Sequence, residues 1–144
     1  MHLNQIVQRL ESHVSEGLVY RLASGATLEK IRETESRIGL NLPEQVVSFW
    51  RSFDGLEVND PQFRILSLSE MMLEKRFLIF CNCNLTVRLA FDISAKNQAG
   101  QWSIVNADTN YLVTLTMASF WSIHMWSWII KRRPIWYDAH GRMG

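Results

Sequence analysis

The sequence predicts an α+β domain with three N-terminal helices, a mostly antiparallel sheet of five to six strands, and a C-terminal helix packed on that sheet. Apolar residues recur at helical spacing as far as Gly55, and beyond it short runs of β-branched and aromatic residues alternate with polar turns. A final helical stretch follows at 118–131. The chain has 144 residues, of which 47% are hydrophobic and 20% charged, so one domain spanning residues 1–144 is expected.

Three helices are predicted before Gly55. The first covers residues 3–16, and its apolar face is formed by Leu3, Ile6, Val7, Leu10 and Val14. Thr27 can cap the second helix, because its hydroxyl accepts a bond from a free amide of the first turn, and Gly39 can end it. Pro43 opens the third helix, since the missing N–H of proline would have no partner in a first helical turn.

The strands follow as short runs with polar residues between them. Their predicted ranges are 63–68, 76–82, 86–93, 101–106 and 111–115. A turn or short helix at 69–75 separates the first two strands. This order of runs of helices and then of strands predicts a largely antiparallel sheet.

One apolar segment, residues 111–130, admits two interpretations. It carries no charged residue and is long enough to cross a bilayer as a single helix. It also contains six polar side chains, which disfavour a helix facing lipid: Thr114, Thr116, Ser119, Ser122, His124 and Ser127. We therefore predict a strand followed by a buried helix, and no membrane association. Residues 1–16 lack the apolar core of a signal peptide, so a cytoplasmic protein is expected.

Several function classes are disfavoured by composition and motifs. A formal net charge of +1 gives no overall field to attract nucleic acid, so we expect no nucleic-acid partner. No motif of a phosphate-binding loop, nucleophile elbow or zinc protease is present, so we predict neither an enzyme nor a cofactor. Cys81 and Cys83 are two ligands where a structural zinc needs four, and they are predicted to be free thiols without metal.

The segment 26–55 carries the most specific signal. It reads ATLEKIRETESRIGLNLPEQVVSFWRSFDG and resembles the signature of the SMI1/KNR4 (SUKH) superfamily. The matching residues are Thr27, Ile31, Glu35, Gly39, Leu42-Pro43, Phe49-Trp50 and Phe53-Asp54-Gly55. Two positions depart from the family pattern, which usually has Asn at Asp54 and more often Leu at Trp50.

The resemblance implies an antiparallel sheet packed by helices and a role in protein binding. Many bacterial members of the family are immunity proteins that neutralise a cognate toxin domain, often a nuclease or deaminase, and fungal members resemble signalling scaffolds. The motif residues are architectural, so the resemblance transfers none of them as a contact residue. We expect an immunity protein in which the domain covers the active site of a toxin. The alternative is a regulatory scaffold or homodimer without a toxin partner.

The C-terminal helix supplies the first candidate interface. A helical wheel places Trp126 and Ile130 on a second apolar face, which one sheet does not cover. Arg132, Arg133 and Trp136 follow directly, and arginine and tryptophan are enriched at interfaces. We predict that these residues meet another chain, either a partner or a second copy. The competing interpretation is that the N-terminal helix covers Trp126 within the monomer.

A second candidate lies between the third helix and the first predicted strand. Asp54, Glu57 and Asp60 are predicted to form a small acidic loop there. An acidic loop is complementary to a basic toxin surface such as a nuclease active site, while a solvated loop without a partner is the alternative.

Overall fold

The computed structural model describes residues 2–138, and it confirms an α+β fold with an antiparallel sheet. The N-terminal helices are α1 (Gln5–Ser12), α2 (Leu28–Ile38) and α3 (Glu44–Ser52). The C-terminal helical segment is continuous and consists of α4 (Met117–Ser119), a π-helical stretch (Phe120–His124) and α5 (Met125–Ile129). Two 3₁₀ turns, Val14–Glu16 and Leu68–Glu70, complete the helical elements of the described residues.

Eight strands form one sheet within residues 2–138. They are β1 (Tyr20–Leu22), β2 (Leu56–Val58), β3 (Phe63–Ile65), β4 (Met72–Glu74), β5 (Phe77–Cys83), β6 (Val87–Asp92), β7 (Ser103–Asn106) and β8 (Leu112–Thr114). The order is β1-β2-β3-β5-β6-β7-β8, and every pair is antiparallel. On one side of β5, β3 pairs with Cys81–Cys83 and β4 pairs with Phe77–Ile79.

The resemblance segment folds as its local signals predict. The Thr27 hydroxyl accepts a hydrogen bond from the Lys30 amide at 3.1 Å, and α2 ends at Gly39, whose φ is +76°. Glu35 on α2 accepts a bond from the Leu42 amide at 2.7 Å, which holds the turn between α2 and α3. Gly55 has φ +118°, and a Cβ there would lie 3.0 Å from the Ile65 carbonyl oxygen, so glycine is required.

The strand count and several boundaries differ from the prediction of five to six strands. Strands β1, β2 and β4, each of three residues, were not predicted. The predicted strand 63–68 ends at Ile65, since Ser67 and Glu70 form a capping box that starts a 3₁₀ turn. The predicted helix 3–16 ends at Ser12 and continues as a 3₁₀ turn to Gly17.

Helices cover one face of the sheet, here called the inner face. Its side chains belong to the same buried cluster as the apolar faces of the helices. A bulge between Ile79 and Cys81 directs both Phe80 and Cys81 to this face. The Phe80 ring stacks on Phe91 with 4.2 Å between centroids, and Trp50 meets Phe80 edge to face at 5.9 Å. The aromatic rings of the core therefore come from several different strands and helices.

The apolar segment 111–130 divides into β8 and the C-terminal helical segment, as predicted. Thr116 caps the start of that segment by accepting a hydrogen bond from the Ser119 amide at 3.1 Å. Among residues 2–138, no helix combines the length and apolar character needed to cross a membrane.

Candidate protein-interaction surface

The opposite face of the sheet, here called the outer face, carries a line of polar side chains across five strands. Arg21, Glu57, Arg64, Asn82 and Arg88 are consecutive register partners on β1, β2, β3, β5 and β6. We call these five residues the polar row. Their neighbours along each strand are buried in the core or half-buried against it, so the alternation of each strand sends the polar row outward.

Ion pairs hold the arginines of the polar row in place. Arg21 Nη2 lies 3.2 Å from Glu57 Oε2, and the Arg64 guanidinium donates to the Glu70 carboxylate. The hydroxyl of Ser67 donates a hydrogen bond to the Glu70 carboxylate. This bond is the main cause of the lowered pKa of Glu70, and the hydrogen bond from Arg64 lowers that pKa further. Arg64 is thus a charged side chain with a defined direction at the centre of the open face.

Arg88 is held from both sides. Its guanidinium lies 2.7 Å from Glu74 Oε2 on β4 and 2.6 Å from Asp108 Oδ1 in the turn between β7 and β8. These carboxylates raise the pKa of Arg88, and the bond from Arg88 lowers the pKa of Asp108. The side chain of Arg88 is 34% exposed, so part of the guanidinium remains accessible to a partner.

An apolar row lies beside the polar row on the outer face. Its residues are consecutive register partners from β4 to β8, namely Met72, Ile79, Ala90, Val105 and Leu112. The three central residues are buried but do not belong to the core cluster of the inner face, whereas Met72 and Leu112 at the two ends are exposed. The outer face therefore offers apolar contact area at its edges together with oriented charge at its centre.

A cleft of about 430 Å³ opens along the β1–β3 part of the outer face. It is lined by Arg21, Leu22, Ala23, Asp54, Gly55, Leu56, Glu57, Arg64, Ile65, Ser67 and Glu70. Four of these residues are paired as two ion pairs, Arg21 with Glu57 and Arg64 with Glu70. A cleft lined by exposed, paired charges is suited to the side chains of another protein.

The prediction of an acidic loop formed by Asp54, Glu57 and Asp60 is wrong. Glu57 lies in strand β2. Asp54 is only 9% exposed and accepts a hydrogen bond from the Leu68 amide at 2.8 Å, with Lys30 Nζ at 3.4 Å from its other oxygen. Asp54 therefore connects α2, the end of α3 and the 3₁₀ turn at Leu68–Glu70, and it presents no free carboxylate to a partner.

Asp60 lies elsewhere, together with two residues of the other candidate group. Its carboxylate is 3.0 Å from Arg132 Nη1, and Asp60, Ile130 and Arg132 line a second cleft of about 390 Å³. The bond from Arg132 lowers the pKa of Asp60, and the same bond raises the pKa of Arg132. Ile130 is half-buried there, and Arg133 is exposed beside it.

The two tryptophans predicted to form an interface are buried in the monomer. Trp126 is 2% exposed, and the guanidinium of Arg9 on α1 lies 4.6 Å from its ring centroid. Trp136 is 9% exposed, and its ring meets Trp128 edge to face at 4.8 Å. Contacts within the monomer therefore hold both indole rings, and neither tryptophan is exposed for contact with another chain.

Cys81 and Cys83 are both buried free thiols. Burial raises the pKa of Cys81 well above its ordinary value, which keeps the thiol protonated. Within residues 2–138 no three His, Cys, Asp or Glu side chains come together as a set of metal ligands.

Sequence reasoning missed Arg21, Arg64 and Arg88. A signal for Arg64 was present, because in Phe63-Arg64-Ile65 a charged residue stands between two apolar ones, as in a half-buried strand. The line of five residues depends on the register of the strands, which the sequence pattern does not supply. No protein-family model matches the chain, and no curated protein matches it.

Proposed function

We propose that this chain is a protein-binding domain of the SMI1/KNR4 (SUKH) kind and acts as an immunity protein. In this proposal it binds a cognate toxin domain of the nuclease or deaminase class in the cytoplasm and neutralises it by covering the toxin's active site. The observation that carries the proposal is the polar row, which extends across five strands on the outer face of the sheet.

The chemistry of the polar row suits a protein partner. Arginine is among the residues that most often dominate binding energy at protein interfaces, and Arg64 and Arg88 are held by carboxylates, so little side-chain entropy remains to be lost on binding. Glu57 lies between Arg21 and Arg64, so the sign of charge alternates over the first three residues of the row. An alternating pattern rejects partners whose charges do not match it, which gives specificity for one toxin.

The same alternation is complementary to the active sites of the proposed toxin classes. Such sites combine basic residues that bind nucleic-acid phosphates with acidic residues that take part in catalysis. Glu57 and Glu70 supply carboxylates for the basic residues, and Arg64 and Arg88 supply guanidinium groups for the acidic ones. Inhibition then needs only occupation of the site, without a chemical step.

The test is co-expression of this chain with the protein encoded by the adjacent gene. We expect the adjacent gene to inhibit growth when expressed alone, and the chain to restore growth. Arg64→Glu should abolish this protection, because it places a carboxylate between Glu57 and Glu70. Arg132→Glu is the matched control, since it reverses an exposed arginine of the second cleft and should leave protection intact. A harmless neighbour would contradict the immunity proposal, and full protection by Arg64→Glu would contradict the proposed surface.

A further inference from the structure

Leu85, in the turn between β5 and β6, combines high exposure with a strained backbone. It is 75% exposed, the largest value for any large apolar residue among residues 2–138. The Thr86 amide donates to the Asn84 carbonyl at 2.8 Å, and Leu85 between them has φ +68°. A three-residue turn with a positive φ at its centre is rare and strained, and glycine is the residue that best tolerates such an angle. Leucine at this position therefore costs stability in the monomer.

Gln62, directly before β3, holds the turn in this conformation. Its Oε1 accepts a hydrogen bond from the Leu85 amide at 2.7 Å, and its carbonyl accepts one from the Asn84 amide at 3.0 Å. Its Nε2 donates to Asn82 Oδ1 at 3.0 Å, while Asn82 Nδ2 donates to the Leu85 carbonyl at 3.2 Å. The Gln62 carbonyl also accepts a bond from Trp128 Nε1 at 3.0 Å, which ties this network to α5. Leu85 is thus held in place before any partner arrives, which lowers the entropy cost of binding.

The turn is continuous with the polar row. Asn82 belongs to that row and is the register partner of Arg88 on β6. Leu85 follows Asn82 by three residues and precedes Arg88 by three, so it lies within about 10 Å of each along the chain. A stable protein interface covers about 800 Å² on each partner and extends well beyond that distance. A partner that covers Asn82 and Arg88 therefore reaches Leu85 as well.

We propose that Leu85 is the apolar anchor of the toxin contact and enters the pocket in which the toxin domain holds a nucleobase. This inference rests on the function proposed above. Both proposed toxin classes act on nucleic acid, and proteins of this kind hold bases by stacking them on aromatic and apolar side chains. A leucine side chain can fill such a pocket, while the polar row meets the charged groups around it. Glycine at position 85 would relieve the strain but would remove the anchor.

The first experiment measures melting temperature and affinity for the product of the adjacent gene on the same variants. Leu85→Gly should raise the melting temperature by about 2 °C or more, because glycine accepts the positive φ without strain. It should also weaken binding by at least about tenfold, because the anchor is lost. Leu85→Asn should weaken binding to the same extent, since asparagine tolerates a positive φ but supplies no apolar side chain. Leu40→Gly is the matched control, because it removes a 43%-exposed leucine from the turn between α2 and α3 and should change the affinity by less than about twofold.

The outcomes separate this inference from the proposed function. If the wild-type chain binds and Leu85→Asn binds equally well, the anchor is overturned, even where Leu85→Gly binds weakly through a loosened turn. A lower melting temperature for Leu85→Gly would contradict the strain at Leu85. If the wild-type chain does not bind the product of the adjacent gene, the proposed function fails and this inference fails with it.

A photo-crosslinking experiment tests entry into the pocket. A diazirine amino acid at position 85 reacts on irradiation with the groups that it touches in the complex, and mass spectrometry identifies the crosslinked peptide. We expect that peptide to contain active-site residues of the toxin domain. The same amino acid at position 40 is the control and should give no crosslink to the toxin. Crosslinks from position 85 only to surfaces outside the active site, or none at all from a complex that forms, would overturn the proposal.

Discussion

The two faces of the sheet differ in what holds their side chains. On the inner face, Phe80, Phe91 and Trp50 pack ring against ring and are completely buried. On the outer face, Arg64 and Arg88 are held by carboxylates and remain partly open to water. Loss of a buried ring leaves a cavity, while exchange of a surface charge changes stability little. The inner face therefore determines the fold, and the side chains of the outer face can change with little effect on stability.

The largest effect is expected where the helical segment closes the inner core. Trp126→Ala should lower the free energy of unfolding by about 3–5 kcal/mol, because the 2%-exposed indole leaves a cavity beneath α1. Urea unfolding followed by circular dichroism measures this change. Tyr137→Ala, which removes a 50%-exposed ring next to Trp136, is the control and should change stability by no more than about 0.5 kcal/mol. A stable Trp126→Ala variant with altered assembly would restore the interface interpretation.

Substitution of Asp54 tests the connection between the helical layer and the chain that follows β3, because the Asp54 carboxylate contacts Lys30 on α2 and the Leu68 amide. Asp54→Ala should destabilise the protein by about 1–3 kcal/mol, since the Leu68 amide loses its acceptor in a buried position. Asp54→Asn keeps a side-chain oxygen at the same place, and it also introduces the residue that the resembled family usually has. Thermal melting of both variants gives the comparison. Equal destabilisation by Asn and Ala would show that the charge beside Lys30, rather than the hydrogen bond, is what matters.

On the outer face, the ionisation of Glu70 is expected to make the free energy of unfolding depend on pH. The pKa of Glu70 is lowered in the folded protein, so its contribution to stability is present above its ordinary pKa of 4.5 and is lost as pH falls through the folded-state pKa. Glu70→Gln lacks this dependence. Acid titration of the unfolding free energy should show wild type and variant furthest apart at neutral pH and converging below about pH 4.5. A constant difference across that range would mean that the Ser67 and Arg64 bonds do not favour the charged form.

The sequence predicted the features that depend on local residues, and it did not predict those that depend on tertiary packing. Thr27, Gly39 and Gly55 act on the turns in which they stand, so the helices of the segment 26–55 were predictable from local rules. Strand β4 was missed because its residues Met72–Glu74 include none of the β-branched or aromatic types by which strands were predicted, and the bulge at Phe80 leaves no local sign. The polar row was missed for a different reason. It exists only once five strands are in register, and register follows from tertiary packing.

The same reason explains why Trp126 and Trp136 were predicted to meet another chain although both are buried in the monomer. A wheel of the C-terminal helix identifies two apolar faces correctly, but it contains no information about what covers them. In the folded protein Arg9 lies over the Trp126 ring, and Trp136 packs against Trp128. An excess of apolar surface on one helix is therefore weak evidence for a partner until the rest of the monomer is placed.

The smallest expected effect on stability belongs to Arg64→Glu. The Arg64–Glu70 pair is exposed on both sides, so its loss should change the free energy of unfolding by about 1 kcal/mol or less. A melting temperature close to that of wild type would show that this variant reports on recognition and not on folding. A loss comparable with that of Trp126→Ala would contradict the division between the two faces.

The most direct test of the central claim is the affinity of the chain for the product of the adjacent gene, measured by isothermal titration calorimetry. If the polar row is the binding surface, Arg64→Glu weakens binding by about 100-fold or more, as expected for loss of a dominant interface arginine. Arg132→Glu, in the second cleft, should change the affinity by less than about threefold. The opposite ranking of these two variants, or equal affinity of Arg64→Glu and wild type, would contradict the account.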